Sequence, residues 1–220
     1  IDTFDFNPGA VNQPVEFTTL FGTGTQTITG LEEVFTSGGN DYMVDIEQDL
    51  FVGSAEGNDT VTASSIDQTG PREVSLTVVA GTGNDSVIGG LAGADSVIAG
   101  IGDDLVNGRG GADFIGLGQG NDSALGGSAD DTIVGGAGAD TINGEDGADS
   151  ILAGTEDDSV LGGSGAYLIG ADFGNDFVNA GADNDTVRGA AGNDSILSGT
   201  GNDSINGGLD DDLIGFGDAF

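Results

Sequence analysis

From Gly90 to Gly215 one aliphatic residue recurs at every ninth position, from Val97 and Val106 to Ile205 and Ile214, with Ala124 the smallest. The stretch divides without insertion or deletion into fourteen nine-residue units, among them GRGGADFIG, GGAGADTIN and GAAGNDSIL. The six residues before each hydrophobic triplet are Gly, Ala and small polar types. They predict a tight turn, since glycine reaches φ > 0 without steric cost. The last three residues, such as Thr141-Ile142-Asn143, predict a very short strand whose middle side chain points to one face and whose neighbours point to the other. One aliphatic side chain per unit makes no core alone, but stacked units align these side chains in continuous inward rows. The sixth position is polar by equally strict rule. It is Asp95, Asp104, Asp113, Asp122, Asp131, Asp140, Asp149, Asp158, then Tyr167, then Asp176, Asp185, Asp194, Asp203 and Asp212.

The period extends towards the N-terminus. Ala80–Ile88 is a further unit carrying Asp85, and one added glycine, Gly89, shifts the phase after it. Earlier still, Glu32, Asp41, Leu50 and Asp59 follow at intervals of nine, with Val34, Met43, Val52 and Val61 at the eighth positions. These predict degenerate coils in which Asp41 and Asp59 keep the turn chemistry and Leu50 cannot bind a metal. Ala63–Val79 breaks the phase. Gly70-Pro71 marks a turn, and Glu73–Val79 reads as a longer strand, so the segment is either a loop thrown out of one coil or a coil without metal turns. Residues 1–35 differ in kind. Pro8, Pro14 and several phenylalanines predict irregular segments, Thr25–Phe35 reads as strand–turn–strand, and the whole forms a cap or the remnant of a preceding domain. The expected division is 1–35, a metal-poor 36–79, and a metal-rich 80–220.

The units over Gly90–Gly215 resemble the RTX, or haemolysin-type, calcium-binding nonapeptide G-G-x-G-x-D-x-U-x, where U is a large aliphatic. The resemblance implies an all-β fold: a right-handed parallel β-roll or β-helix solenoid with two short-stranded sheets and calcium-binding turns, two units per coil. It implies ions held between turns two units apart by Asp carboxylates and by backbone carbonyls near positions one to four, such as Gly108, Gly110, Gly111, Gly118, Gly120, Gly126, Ser128, Gly135, Gly136, Ala137 and Gly138. Elementary electrostatics agrees. Asp side chains stacked at the ~4.8 Å strand spacing repel one another, and a hard cation that takes six to eight oxygens removes the conflict. At Tyr167 a carboxylate is missing between Asp149 and Asp185. Position four departs from glycine at Ala129, Glu156, Asp183 and Asp210, where Asp tolerates left-handed geometry better than most residues.

Composition changes the picture in three ways. The net charge of −35, from 38 acidic and 3 basic residues, excludes nucleic acid as partner, since phosphate binding needs Lys and Arg. The three basic residues are Arg72, Arg109 and Arg188, the last two expected to be solvated. Cysteine and histidine are absent, which removes disulfides, thiolate sites and the usual zinc ligand. No apolar run approaches the ~20 residues of a membrane-spanning helix, so no membrane insertion is expected. The 44 glycines make folding costly, at roughly 0.5–1 kcal/mol each relative to Ala, so the metal-free repeat is expected to be marginal or unfolded. A chain beginning at Ile1 without a signal peptide reads as a processed piece.

Paired carboxylates such as Asp103-Asp104, Asp157-Asp158 and Asp211-Asp212 evoke glycoside hydrolysis, but that chemistry needs a cleft and one raised pKa, and the repeat explains them without either. The reading is therefore a non-enzymatic, calcium-binding structural module of a secreted or cell-surface protein, of S-layer, filament or adhesin type. The alternative is the secretion and folding module of a type I-secreted RTX enzyme or toxin. An ice-binding solenoid is disfavoured, because only Thr141-Ile142-Asn143 fits a Thr-x-Asn rank. Positions seven and nine should face outward, with Ile98, Phe114, Val134, Leu152 and Leu168 on one sheet and Leu105, Leu125, Leu161, Phe177, Leu197 and Leu213 on the other. Such rows suggest self-association or contact with extracellular matrix or surface proteins, unless neighbouring segments of the same chain cover them.

Overall fold

In the computed structural model the described residues are 15–16, 26–27, 33–35, 39–40, 42–46, 50–63 and 75–217. Among them, twenty-two strands alternate between two parallel eleven-stranded sheets, each strand pairing with the one two places on in the chain. The first sheet runs from Val15–Glu16 to Ser204–Leu209, and the second from Gln26–Thr27 to Leu213–Gly215. The chain thus winds as a right-handed parallel β-solenoid, two strands and two turns per coil. Register follows the repeat: Phe114, Ile115 and Gly116 pair with Thr132, Ile133 and Val134, eighteen residues on. The phase traced through the degenerate coils is the same register, since Val34 pairs with Val52, Val52 with Val78, and Met43 with Val61.

The strands are longer than the aliphatic pattern predicts. Thr141–Asp146 is typical: six residues, continuing through positions one to three of the next unit and leaving only Gly147-Ala148-Asp149 for the turn. Period two then buries a second position, so that Gly144 lies inside as well as Ile142. Position one is buried in every unit, usually as Gly or Ala and once as Leu117. The reason is close approach: a Cβ on Gly108 would lie 2.5 Å from the Gly126 carbonyl oxygen of the next coil. Between the sheets the core is a column of eighth-position aliphatics, each worth about 1.5–3 kcal/mol buried, flanked by these small residues.

Turning corners this tightly requires left-handed backbone at two places per unit, positions two and four. Eight non-glycine residues adopt it, including Arg109 (φ 69°), Ala129 (87°), Glu156 (76°) and Ala190 (91°). All four non-glycine residues at position four are among them. The extra glycine is absorbed in one turn. By register and by its approach to the Gly108 carbonyl, Gly89 rather than Gly90 fills position one, and the Gly90 N–H donates to Asp95 Oδ2 at 2.7 Å. The longer strand expected from Glu73 runs over Leu76–Thr82 and pairs within the first sheet. Most of 1–35, where the cap is expected, and all of 64–74 lie outside the described residues. Arg109 is not simply solvated: it is half-buried, and its guanidinium donates to the Gly89 carbonyl at 3.4 Å.

Left-handed alanine carries a steric penalty that glycine lacks. Ala129→Gly and Ala190→Gly are each expected to stabilise the folded chain by about 1 kcal/mol, read as a higher urea midpoint at fixed calcium. Gly147→Ala should lower it, because the new Cβ would overlap the Ala129 carbonyl.

Candidate metal centre

The turns place the sixth-position carboxylates in two columns, one on each edge of the solenoid. One holds Asp95, Asp113, Asp131, Asp149, Asp185 and Asp203. The other holds Asp59, Asp85, Asp104, Asp122, Asp140, Asp158, Asp176, Asp194 and Asp212. All are buried except the half-buried Asp203 and Asp212. Asp41 lies outside the described residues.

Each carboxylate is used in halves. Its Oδ1 accepts the backbone N–H of the turn eighteen or so residues earlier: Asp104 N–H to Asp122 Oδ1 at 2.8 Å, Asp122 to Asp140 at 2.9 Å, Asp140 to Asp158 at 2.8 Å. The same bond recurs from Asp113 to Asp131, from Asp131 to Asp149 and from Asp194 to Asp212. At the junction with the degenerate coils the donor is the N–H of Leu76, which stands where an aspartate would. The second oxygen, Oδ2, points inward. For Asp85, Asp104, Asp113, Asp122, Asp131, Asp140, Asp149, Asp158, Asp176, Asp185 and Asp194 it is buried with no hydrogen-bond partner. It faces the Cα of position one and the carbonyl of the next coil. A Cβ on Gly135 would lie 2.5 Å from Asp140 Oδ2, and one on Gly126 would lie 2.6 Å from Asp131 Oδ2.

Orphaned carboxylate oxygens facing backbone carbonyls, in a cradle that a Cβ would fill, are the donor set a hard cation takes. Among the described residues no three carboxylates gather into a cluster that holds an ion by itself, so the remaining oxygens must come from carbonyls. Carbonyls are expected at positions one, two and four. The carbonyls of Gly118 and Gly120 point at the following coil, against Gly136 and Gly138, and those of Gly108 and Gly126 border the carboxylate cradle. At position three, Ser128 and Ala137 already accept the N–H groups of Gly111 and Gly120 and keep one lone pair each.

Burial raises these carboxyl pKa values. Desolvation lifts Asp104, Asp113 and Asp158 to about 7 and Asp131, Asp140, Asp149 and Asp176 to about 6. The backbone hydrogen bond opposes it, and the neighbouring carboxylates add to it. Asp85, Asp122, Asp185 and Asp194 are raised for the same first cause.

At Tyr167 the ladder takes a different form. The backbone N–H still donates to Asp185 Oδ1 at 2.9 Å, but no carboxylate returns to Asp149. The ring lies buried against Gly144 and Gly162, and its hydroxyl donates to the Glu145 carbonyl at 2.7 Å. Burial, then the charges of Asp149 and Asp185, push the phenol well above its usual pKa, so it keeps the proton it donates. A neutral hydroxyl thus supplies to that carbonyl the positive end that a cation would supply elsewhere.

Sequence reasoning missed the outer ladder at position five. On one edge Asp103 N–H donates to Asn84 Oδ1, Asn121 N–H to Asp103 Oδ1 and Ala139 N–H to Asn121 Oδ1, at 2.9–3.0 Å, all exposed. The recurrent Asn-Asp and Asp-Asp pairs were the available signal: one member turns inward, its neighbour clamps adjacent coils from outside. The pairs Asp103-Asp104 and Asp157-Asp158 are therefore structural.

The family model described as the RTX calcium-binding nonapeptide repeat (4 copies) matches residues 77–91, 89–124, 125–160, 140–169, 161–196 and 189–218, which is more than half of the chain. No curated protein matches it.

A carboxyl whose folded pKa lies above its unfolded value of about 3.9 binds its proton more tightly when folded. Stability of the metal-free chain is therefore fullest below about pH 4 and is lost as pH rises through 6–7. Chelator-treated protein should show more β-structure by circular dichroism near pH 4 than at pH 7.5, and added calcium should release protons into weakly buffered solution. For Tyr167→Asp, which restores the missing carboxylate, equilibrium dialysis at saturating calcium should count more bound ions than in the parent.

Proposed function

Because the chain belongs to the RTX calcium-binding nonapeptide repeat family, a non-catalytic, calcium-binding structural repeat, we propose that it serves a secreted or cell-surface protein as a calcium-set rigid spacer or assembly unit of S-layer, filament or adhesin type. The observation that carries this reading is the pair of carboxylate columns, in which eleven aspartates from Asp85 to Asp194 each keep one orphaned oxygen. Asp85, Asp95, Asp104, Asp113, Asp122, Asp131, Asp140, Asp149, Asp158, Asp176, Asp185, Asp194, Asp203 and Asp212 would hold the ions together with carbonyls of positions one to four, and Asp59 would extend one column. Calcium bound there would supply positive charge where like-charged carboxylates stack, and nothing else. The metal-rich part, about seven coils at ~4.8 Å, makes a rod of about 34 Å.

An extracellular setting suits such sites. Extracellular calcium modules bind in the ~10⁻⁴–10⁻³ M range, so they fill where calcium is abundant. The ice-binding reading lacks support: Leu125 and Leu161 flank Asn143 in register, so no Thr-x-Asn rank continues across the second sheet.

Calcium-coupled folding is the central expectation. Circular dichroism in chelator should show little β-structure near neutral pH, and millimolar calcium should restore it cooperatively. Equal β-content in both conditions would falsify the reading.

A further inference from the structure

Most of the charge of this chain lies in its turns. In the first sheet the five adjacent strands Leu76–Thr82, Ser96–Ile101, Phe114–Gln119, Thr132–Ala137 and Ser150–Thr155 contain no charged residue, although the chain carries a net charge of −35. On their outward side, with Leu168 of the next strand, stand Val79, Ile98, Phe114, Val134, Leu152 and Leu168, one large apolar side chain per strand. All but the half-buried Val134 are exposed, up to 57% at Leu168. The face is flat, because the ring of Phe114 lies over Gly116 and the Leu152 side chain against Gly170. The second sheet lacks this continuity over the same coils. Arg109 interrupts it, Glu145 and Asp146 lie in its strand Thr141–Asp146, and Asn107, Asn143 and Asn179 alternate with its apolar residues.

We propose that this face of the first sheet is a homodimer surface, on which a second copy of the chain stacks sheet on sheet. Three considerations favour that occupant. A basic partner would be drawn to the acidic turns, not to five strands without charge. A second copy offers a face that is flat, neutral and self-complementary about a two-fold axis, and it leaves both pairs of acidic edges in solvent. The five charge-free strands with Leu168–Phe173, which carries Asp172 near its end, make six strands at ~4.8 Å; with six residues at ~3.3 Å they give a face of roughly 29 by 20 Å, or roughly 1,150 Å² over two copies, above the ~1,000 Å² that a specific interface needs. Packing of two such sheets about 10 Å apart is the ordinary geometry of a β-sandwich. The dimer rests on the calcium-ordered rod proposed above, because only a folded rod presents the face.

Sedimentation equilibrium of the full chain at millimolar calcium, with circular dichroism on the same samples, tests this. The parent should form a dimer that dissociates on dilution. Phe114→Glu and, independently, Leu152→Ser should weaken it by more than about tenfold while the β signal stays. Leu161→Glu on the second sheet should leave it unchanged. A folded parent that stays monomeric at high concentration overturns the dimer and spares the calcium reading. That result includes a face covered by another segment of this chain. A dimer insensitive to Phe114→Glu and Leu152→Ser, or lost with Leu161→Glu, overturns the choice of face. A chain that gains no β signal with calcium overturns both readings.

Discussion

The structure depends on one conflict: carboxylates must stack, at the spacing of neighbouring strands, inside a protein with three basic residues. Each Asp answers half of it locally by accepting an N–H from the adjoining coil. The other half, an inward oxygen without a partner, stays open along both edges. That oxygen links composition to fold. It explains why position one is small, why the carboxyls hold protons far above their usual range, and why coils that lack the aspartate use something else: an apolar Leu76 at the junction and a hydroxyl at Tyr167.

Much of this was legible because the period is short and strict. The aliphatic eighth position located every strand of the metal-rich part, and its phase carried through Val34, Val52 and Val61 into coils with little other likeness to the repeat. The true strand length was hidden, because Gly and Ala at positions one to three look like turn residues to any rule based on side chains. Their pairing comes from backbone approach between coils, which no single unit displays. The corner geometry was half legible. Glycine at position four announced positive φ, while Arg109, Glu145, Asp172 and Ala190 at position two adopt it without announcing it. The carboxylates were found by spacing alone, but their division into one bonded and one orphaned oxygen belongs to the stack. Likewise, Gly89 read as the added residue, yet the stack uses it as position one.

Separating functions by position within the unit leaves little cross-talk. Positions four to six carry charge and hold the edges, eight and one fill the interior, and seven and nine meet solvent. A substitution on a sheet face therefore leaves the carboxylate columns intact, and the outer Asn and Asp ladder can vary to Ala, as at Ala139 and Ala148, whose own N–H groups still donate to Asn121 Oδ1 and Asp130 Oδ1.

The bonds from amide to sixth-position carboxylate all run the same way. Asp104 gives its N–H to Asp122, Asp122 to Asp140, and Asp140 to Asp158; none of these amides gives to the turn before it. The inner amide of a turn is therefore satisfied by a residue about eighteen positions later in the chain, whereas the outer ladder runs the other way, as where Asn121 N–H donates to Asp103 Oδ1. Each coil thus offers its C-terminal neighbour both an inner amide awaiting a carboxylate and an outer side chain awaiting an amide, so neighbouring coils are joined by two opposed sets of bonds.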